Sequence, residues 1–209
     1  ILDDGREVTV HCPNSGSMKG LLAEGAEVLV SDSHSETRKL PLTLERIRPE
    51  RAWVGVNTML PNHIVREAVE AGRVPELAGY ARVRSEVKFG ASSRIDLKLE
   101  DDARPDCWVE VKNATLREGR EARFPDAVTS RGLKHLEELM SAVRDGSRAR
   151  LFFLVNRADC DLLRPADDID PAYGEGLRRA AAAGVELLAY RAELRPDSVR
   201  VADRVPVAH

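Results

Sequence analysis

Hydrophobic positions along the chain follow two different periodicities, and the change from one to the other divides the sequence near residue 60. Before that point, short β-prone runs alternate with turn formers, which is typical of a small barrel or sandwich. The predicted strands of this part are Glu7–His11, Ala26–Ser31, Leu40–Leu44 and Arg51–Val56. We therefore predict a small β-barrel over residues 1–60.

After residue 60 the apolar spacing first becomes helical. A helix is predicted from Pro61, with Asn62 as its cap and Gly72 as its end. A second helix is predicted behind Asp126, which we expect to be its N-cap. Its apolar stripe consists of Leu133, Leu136, Leu139, Met140 and Val143.

Three strands with alternating faces are predicted between these helices. Their polar faces are Arg84, Glu86 and Lys88, then Arg94, Asp96 and Lys98, then Trp108, Glu110 and Lys112. Their other faces, expected to enter one core, are Val83, Ser85, Val87 and Phe89, then Ile95, Leu97 and Leu99, then Val109 and Val111.

The remaining chain completes a mixed sheet. Residues 150–156 and 185–190 are apolar enough for covered strands, and a helix over 177–183 separates them. The tail over 195–209 is expected to add one edge strand. Residues 61–209 are therefore predicted to form an α/β domain with a mixed sheet flanked by helices.

Asp96, Glu110 and Lys112 are the candidate chemistry of this sheet. Side chains two apart on a strand share a face, so Glu110 and Lys112 point the same way. With Asp96 in register, two carboxylates can share a divalent cation, Mg²⁺ or Mn²⁺, while the ammonium meets a phosphate. The same spacing also occurs on any half-exposed antiparallel sheet, and interspersed bases can balance the acids without metal.

Composition limits the functions that the chain can have. Charged residues make up 32% of the 209 residues, yet the formal net charge is only −3. Binding to nucleic acid would therefore need a local basic patch. The chain has three cysteines without CxxC spacing and no apolar run long enough to span a membrane. Both features favour a reducing cytoplasm as its location.

Because the first residue is Ile1, we expect the native N-terminus to be missing.

Four sequence blocks resemble the sugar fermentation stimulation protein A family. They are His11–Met18, Ser93–Asp96, Val109–Asn113 and Phe124–Ala127 with Arg131–Leu136. The resemblance implies an OB-fold-like domain followed by a PD-(D/E)XK nuclease-like domain. It also implies DNA binding and a role in regulating the metabolism of sugars, especially maltose.

The resemblance also implies a metal site. Asp96 matches the first acid of the superfamily pattern, and Glu110 and Lys112 match its (D/E)XK element, with the Val111 carbonyl as a further ligand. Ile95 stands where the superfamily pattern has proline. An additional acid is expected, for which Glu86 is the first choice and Glu67 the second.

Contacts to DNA are expected from five basic residues: Arg38, Lys39, Arg94, Arg131 and Lys134. Further candidates are Asp126, His135, Asn14 and Ser17. An ordinary turn is the favoured explanation of Asn14 and Ser17, and a helix cap is the simplest explanation of Asp126. His135 is expected on the solvated side of the second helix, opposite its apolar stripe. Three functions stay open at this stage: a DNA-binding regulator without sequence specificity, an active nuclease, or a protein-interaction module. The sequence also leaves open a homodimer that would cut both strands.

Overall fold

The computed structural model describes residues 1–90 and 93–209, in which three α-helices, one short 3-10 helix (Pro75–Leu77) and twelve strands are present. The helices are α1 (Pro61–Glu70), α2 (Ser130–Arg144) and α3 (Pro171–Ala182). The strands are β1 (Glu27–Asp32), β2 (Leu42–Arg48), β3 (Val54–Gly55), β4 (Arg82–Phe89), β5 (Ser93–Glu100), β6 (Cys107–Ala114), β7 (Leu116–Glu118), β8 (Glu121–Phe124), β9 (Arg148–Val155), β10 (Leu162–Pro165), β11 (Glu186–Arg195) and β12 (Ser198–Arg204).

The first domain is built on the antiparallel sheet β1–β2–β3. Its own small core consists of Met18, Leu21, Leu44, Ile47, Val54 and Val56. The predicted strand over residues 7–11 is wrong, because only His11 pairs, in an isolated bridge with Thr43, and residues 7–10 have no ladder partner. Three of the four predicted strands are therefore present, with shifted ends.

The second domain contains a six-stranded sheet in the order β12-β11-β9-β6-β5-β4. Residues of α1 pack on one face of it, and residues of α2 and α3 pack on the other. The predicted order of helix, three strands, helix, strand, helix and strand is confirmed, and β12 is the expected edge strand. The sequence did not predict the small sheet β10-β8-β7 beside it.

The ribbon β4–β5 turns over in the middle, which the alternating pattern did not predict. Val83, Leu97 and Leu99 pack on the α1 side, whereas Phe89 and Ile95 belong to the core on the α2 side. The reversal coincides with Glu86, whose φ of 53° lies in the left-handed region that interrupts strand alternation. The prediction of a single apolar face along these strands was therefore wrong.

Two predicted helix caps are also wrong. Asp126 does not cap α2, because the helix begins four residues later and Thr129 Oγ1 accepts from Gly132 N at 3.0 Å. Helix α1 has Pro61 in its first turn, and its N-cap Leu60 makes no side-chain capping bond. Asn62 therefore lies inside the helix, with its amide available for other contacts.

Backbone and side-chain contacts join the two domains. Gly55 N donates to Asn156 O at 2.9 Å, and Arg46 donates to the backbone carbonyls of Arg195 and Ser198 in the β11–β12 turn. A Cβ on Gly55 would lie 2.3 Å from Asn156 Oδ1, so the close approach of the domains requires glycine there.

Asp170 connects the starts of α2 and α3, and we expect Asp170→Ala to lower the free energy of unfolding by about 2 kcal/mol. Its buried carboxylate caps α3 through Tyr173 N at 3.0 Å and accepts from Thr129 N at 2.8 Å. Without this carboxylate, the main-chain N–H groups of Thr129 and Tyr173 lose their hydrogen-bond acceptor. Urea unfolding measures the change, and Asp168→Ala at an exposed neighbouring position is the control. Equal stability of the two variants would contradict this role.

Candidate functional site

Asp96 lies where the β4–β5 ribbon turns over, and both of its carboxylate oxygens are engaged. Val111 N donates to Oδ2 at 2.7 Å, and Asn62 Nδ2 of α1 donates to Oδ1 at 2.7 Å. The same amide lies 3.4 Å from Glu86 Oε1. Asn62 therefore connects two of the three acids that the sequence predicted to meet.

Glu110 is the most enclosed acid of the site, with 3% of its surface exposed. Lys112 Nζ donates to its Oε1 at 2.7 Å, as expected for neighbours on one strand face. His135 Nδ1 of α2 lies against the same oxygen and 3.4 Å from Lys112 Nζ. The acid and the amine of the (D/E)XK element thus form one cluster with an imidazole.

His135 is buried rather than exposed, which corrects the helix face predicted for it. Only 6% of its surface is accessible, and it shares the inner face of α2 with Gly132, Leu136 and Leu139. These positions follow helical spacing, so the apolar stripe itself contained the signal. A histidine inside such a stripe needs a polar partner, which is Glu110 here.

The two central carboxylates have different electrostatic environments. Burial, together with the charge of Glu110, raises the pKa of Asp96 to about 6, although the Val111 amide, Lys112 and Asn62 oppose this shift. Burial would also raise the pKa of Glu110, but the hydrogen bond from His135 and the charge of Lys112 outweigh it and lower that pKa. Glu110 is therefore ionised at neutral pH, while Asp96 titrates just below it.

Tyr173 is a neighbour of the site that the sequence did not reveal. It is wholly buried, its ring packs against Phe124, and its hydroxyl has no hydrogen-bond partner among the residues described. Burial and the charges of Glu110 and Asp170 raise its pKa. A neutral hydroxyl thus faces the electrostatic field of Glu110.

The oxygen donors suit a hard divalent cation only in part. Asp96 and Glu110 supply carboxylates and Val111 a main-chain carbonyl, which are ligand types that Mg²⁺ and Ca²⁺ prefer. Within residues 1–90 and 93–209, however, no group of three His, Cys, Asp or Glu side chains is placed to hold a metal. A cation would therefore need the backbone carbonyl, water or a movement of Glu86.

The other predicted site residues are placed as follows. Arg94 is exposed and donates to Glu86 O at 3.4 Å, and Arg131 Nε lies 3.4 Å from His135 Nε2. Lys134 lies 3.6 Å from Glu138. Arg38 and Lys39 follow β1 in the first domain, where Arg38 bonds Thr43 at 3.3 Å.

Asn14, Ser17 and Asp126 each have a hydrogen-bond partner, and Glu67 lies away from the acids. Asn14 Oδ1 accepts from Gly16 N at 2.8 Å, which fits the turn interpretation. Ser17 Oγ donates to Asp126 Oδ2 at 2.9 Å, so this pair links the domains. Glu67 pairs with Arg73 at 2.8 Å on the exposed side of α1, and the structure does not bring it to the acids.

Two family models match the chain in succession. The model of the SfsA N-terminal OB domain matches residues 1–56, and the model of the sugar fermentation stimulation protein RE domain matches residues 59–198. The chain belongs to the sugar fermentation stimulation protein A (SfsA) family. The first domain is accordingly an OB domain, which confirms the predicted fold.

Relatives cover nearly the whole chain. The sugar fermentation stimulation protein homolog of Geobacter sulfurreducens is 55% identical over 99% of this chain and 88% of its own length. The homolog of Rhodospirillum centenum is 54% identical over 96% of this chain and 87% of its own. The SfsA structure of Pyrococcus furiosus, solved in complex with Ca²⁺, matches with a TM-score of 0.86 and 26% identity over 96% of this chain and 85% of that one.

None of the helices in the described part of this SfsA chain has the length and hydropathy needed to cross a membrane.

Asp96 should destabilise the metal-free SfsA fold above pH 6, and Asp96→Asn should relieve this. Because its pKa is raised from 3.8 to about 6, the folded state binds the proton more tightly than the unfolded state. The free energy of unfolding therefore falls as pH rises from 3.8 to 6. In EDTA at pH 8 we expect the variant to be about 1–2 kcal/mol more stable than the wild type, after allowing for one weakened hydrogen bond.

Urea unfolding across the pH range measures this difference, which should disappear below pH 4. Asp168→Asn, at an exposed position, should be neutral throughout. A variant that is no more stable than the wild type at pH 8 would show that Asp96 is not strained by its charged surroundings.

Proposed function

We propose that this chain binds DNA without sequence specificity and that its second domain holds Mg²⁺ or Mn²⁺ through Asp96, Glu110 and the Val111 carbonyl. The observation that carries the proposal is the pair of carboxylates itself. Glu110 is close enough to raise the pKa of Asp96, and both are largely buried. Like charges held this way are costly unless a cation offsets them.

The similar SfsA protein of Pyrococcus furiosus, described as a complex with Ca²⁺, supports a hard cation. Ca²⁺, Mg²⁺ and Mn²⁺ all favour oxygen ligands, and Mg²⁺ commonly uses one or two carboxylates and completes its shell with water and phosphate. Two carboxylates and one carbonyl fit that use better than a closed protein cage.

Local charge supports the DNA part of the proposal. Arg94 and Arg131 are exposed, and each has a contact with a residue beside the acids, Glu86 or His135. They offer phosphate contacts although the net charge of the chain is −3. The relatives' name, sugar fermentation stimulation protein, supports a role in sugar metabolism. We propose that this role is regulatory and includes the metabolism of maltose.

Hydrolysis of phosphodiester bonds is the second candidate function, favoured by the contact of Lys112 with Glu110. A bound cation at this place would polarise the phosphate and activate water. Lys112 would offset the negative charge that develops on the phosphate, and His135 would keep Glu110 oriented.

Calorimetric titration with Mn²⁺ tests the metal site. We expect Asp96→Asn and Glu110→Gln each to weaken Mn²⁺ binding by at least about tenfold, because each removes a charged ligand. Glu67→Gln is the matched control, since this glutamate lies on the exposed side of α1. Equal Mn²⁺ affinity of the wild type and both site variants would overturn the proposed site.

Lys112→Ala should separate DNA binding from cleavage. Retention of labelled DNA should fall steeply with rising salt for the wild type and remain measurable for the variant, since several phosphate contacts lie elsewhere. If the wild type cuts plasmid, linear or single-stranded DNA in Mg²⁺ or Mn²⁺ but not in EDTA, the variant should lose that activity by about a hundredfold or more.

Lys88→Ala, at an exposed position, should behave as the wild type in both assays. Binding without cutting under any metal would reject hydrolysis and leave the DNA-binding function. Binding that does not respond to salt would contradict the phosphate contacts, and the absence of binding would reject both functions.

A further inference from the structure

Two large apolar side chains stand exposed immediately before the helices that carry site residues. Met59 precedes the N-cap of α1 with 69% of its surface accessible, and Val128 precedes the N-cap of α2 with 76% accessible. Isolated exposed apolar residues need no explanation, but these two occupy equivalent places beside one site. Their positions suggest a shared surface.

A loop of the OB domain connects the two segments. Thr58 Oγ1 donates to Pro13 O at 3.0 Å, and Ser17 Oγ donates to Asp126 O and to Oδ2, both at 2.9 Å. We call residues 13–19, 58–59 and 126–131 the mouth. Both domains contribute to it, and the loop fixes the segments that carry Met59 and Val128.

Residues of the mouth, or residues close to it, contact the side chains that bind Glu110 and Asp96. Arg131 Nε lies 3.4 Å from His135 Nε2, and His135 Nδ1 lies against Glu110. On the other side, Asn62 follows Met59 by three residues and donates to Asp96. A chain bound across the mouth would therefore lie next to the proposed metal site.

The charged side chains of the mouth suit a polyanion. Lys19 and Arg131 are exposed, and neither forms an ion pair within residues 1–90 and 93–209, where many other arginines are paired. The acid of the mouth, Asp126, is engaged by Ser17. Cations without an acidic partner, beside exposed apolar groups, suit single-stranded nucleic acids, because the phosphates and base faces of these strands are both accessible.

We propose that the mouth binds single-stranded nucleic acid, with Lys19 and Arg131 contacting phosphates and Met59 and Val128 packing against unstacked bases. This inference rests on the proposed function and names its substrate class and binding surface. In a duplex the base faces are already stacked, so the apolar pair would gain little from contact with it.

Fluorescence anisotropy with one labelled oligonucleotide, single-stranded or annealed to its complement, tests the inference in Ca²⁺. Met59→Ser combined with Val128→Ser should weaken single-strand binding by about tenfold or more and change duplex binding by less than about twofold. Leu22→Ser combined with Val28→Ser, at exposed apolar positions of the OB domain, is the matched control and should match the wild type.

A double variant at Met59 and Val128 that binds single strands as the wild type does would overturn the inference while leaving DNA binding intact. An equal loss for single strand and duplex would also overturn it. A wild type that binds neither form would reject the proposed DNA binding as well. Unchanged Mn²⁺ affinity of the double variant is expected, and its loss would show that the substitutions disturb the acids rather than a strand-binding surface.

Discussion

The separation of β5 from β6 beyond Leu97 is the feature on which the candidate site depends. The ladder pairs Leu97 with Val109 and is not continued to Val111, whose N–H donates instead to the carboxylate of Asp96. Because β4 and β5 turn over at this level, Asp96 lies between the two cores rather than on either face. A regular ribbon would have placed it beside Lys98, away from Asn62 of α1.

This position determines the electrostatics of the site. Asp96 has lost most of its solvent and lies within the field of Glu110, while Lys112 and His135 favour the ionised form of Glu110. One carboxylate is thus fixed in its charged state and the other is close to protonation at neutral pH. This pair of carboxylates is costly for stability, because an amide or an apolar side chain at the position of Asp96 would give a more stable fold. Carboxylates held in such different environments are typical of functional sites.

The sequence predicted the strands of this site better than its contacts. Alternation along β6 correctly placed Glu110 and Lys112 together, because that rule depends only on backbone geometry. The alternation rule failed at Glu86, where a positive φ exchanges the two faces of the strand. Glycine is the residue that usually marks such a conformation, so a glutamate at this position gave no signal in the sequence. Asn62 was taken for a cap, although Pro61 already starts the helix and leaves the amide free to bind Asp96. His135 was predicted on an outer face, although its spacing from Leu139 fits the inner one.

The two domains are coupled where their chains approach the site. The OB domain bonds the segment before α1 through Thr58 and the segment before α2 through Asp126, and these helices supply Asn62 and His135 to the acids. The position of each helix start therefore depends on a loop from the other domain. Since Asn62 and His135 set the environments of Asp96 and Glu110, a shift of the OB loop would change the charge balance between the two carboxylates. The single-strand binding proposed at the loop and the cation binding proposed at the acids would therefore be linked through these contacts, and each would bias the other.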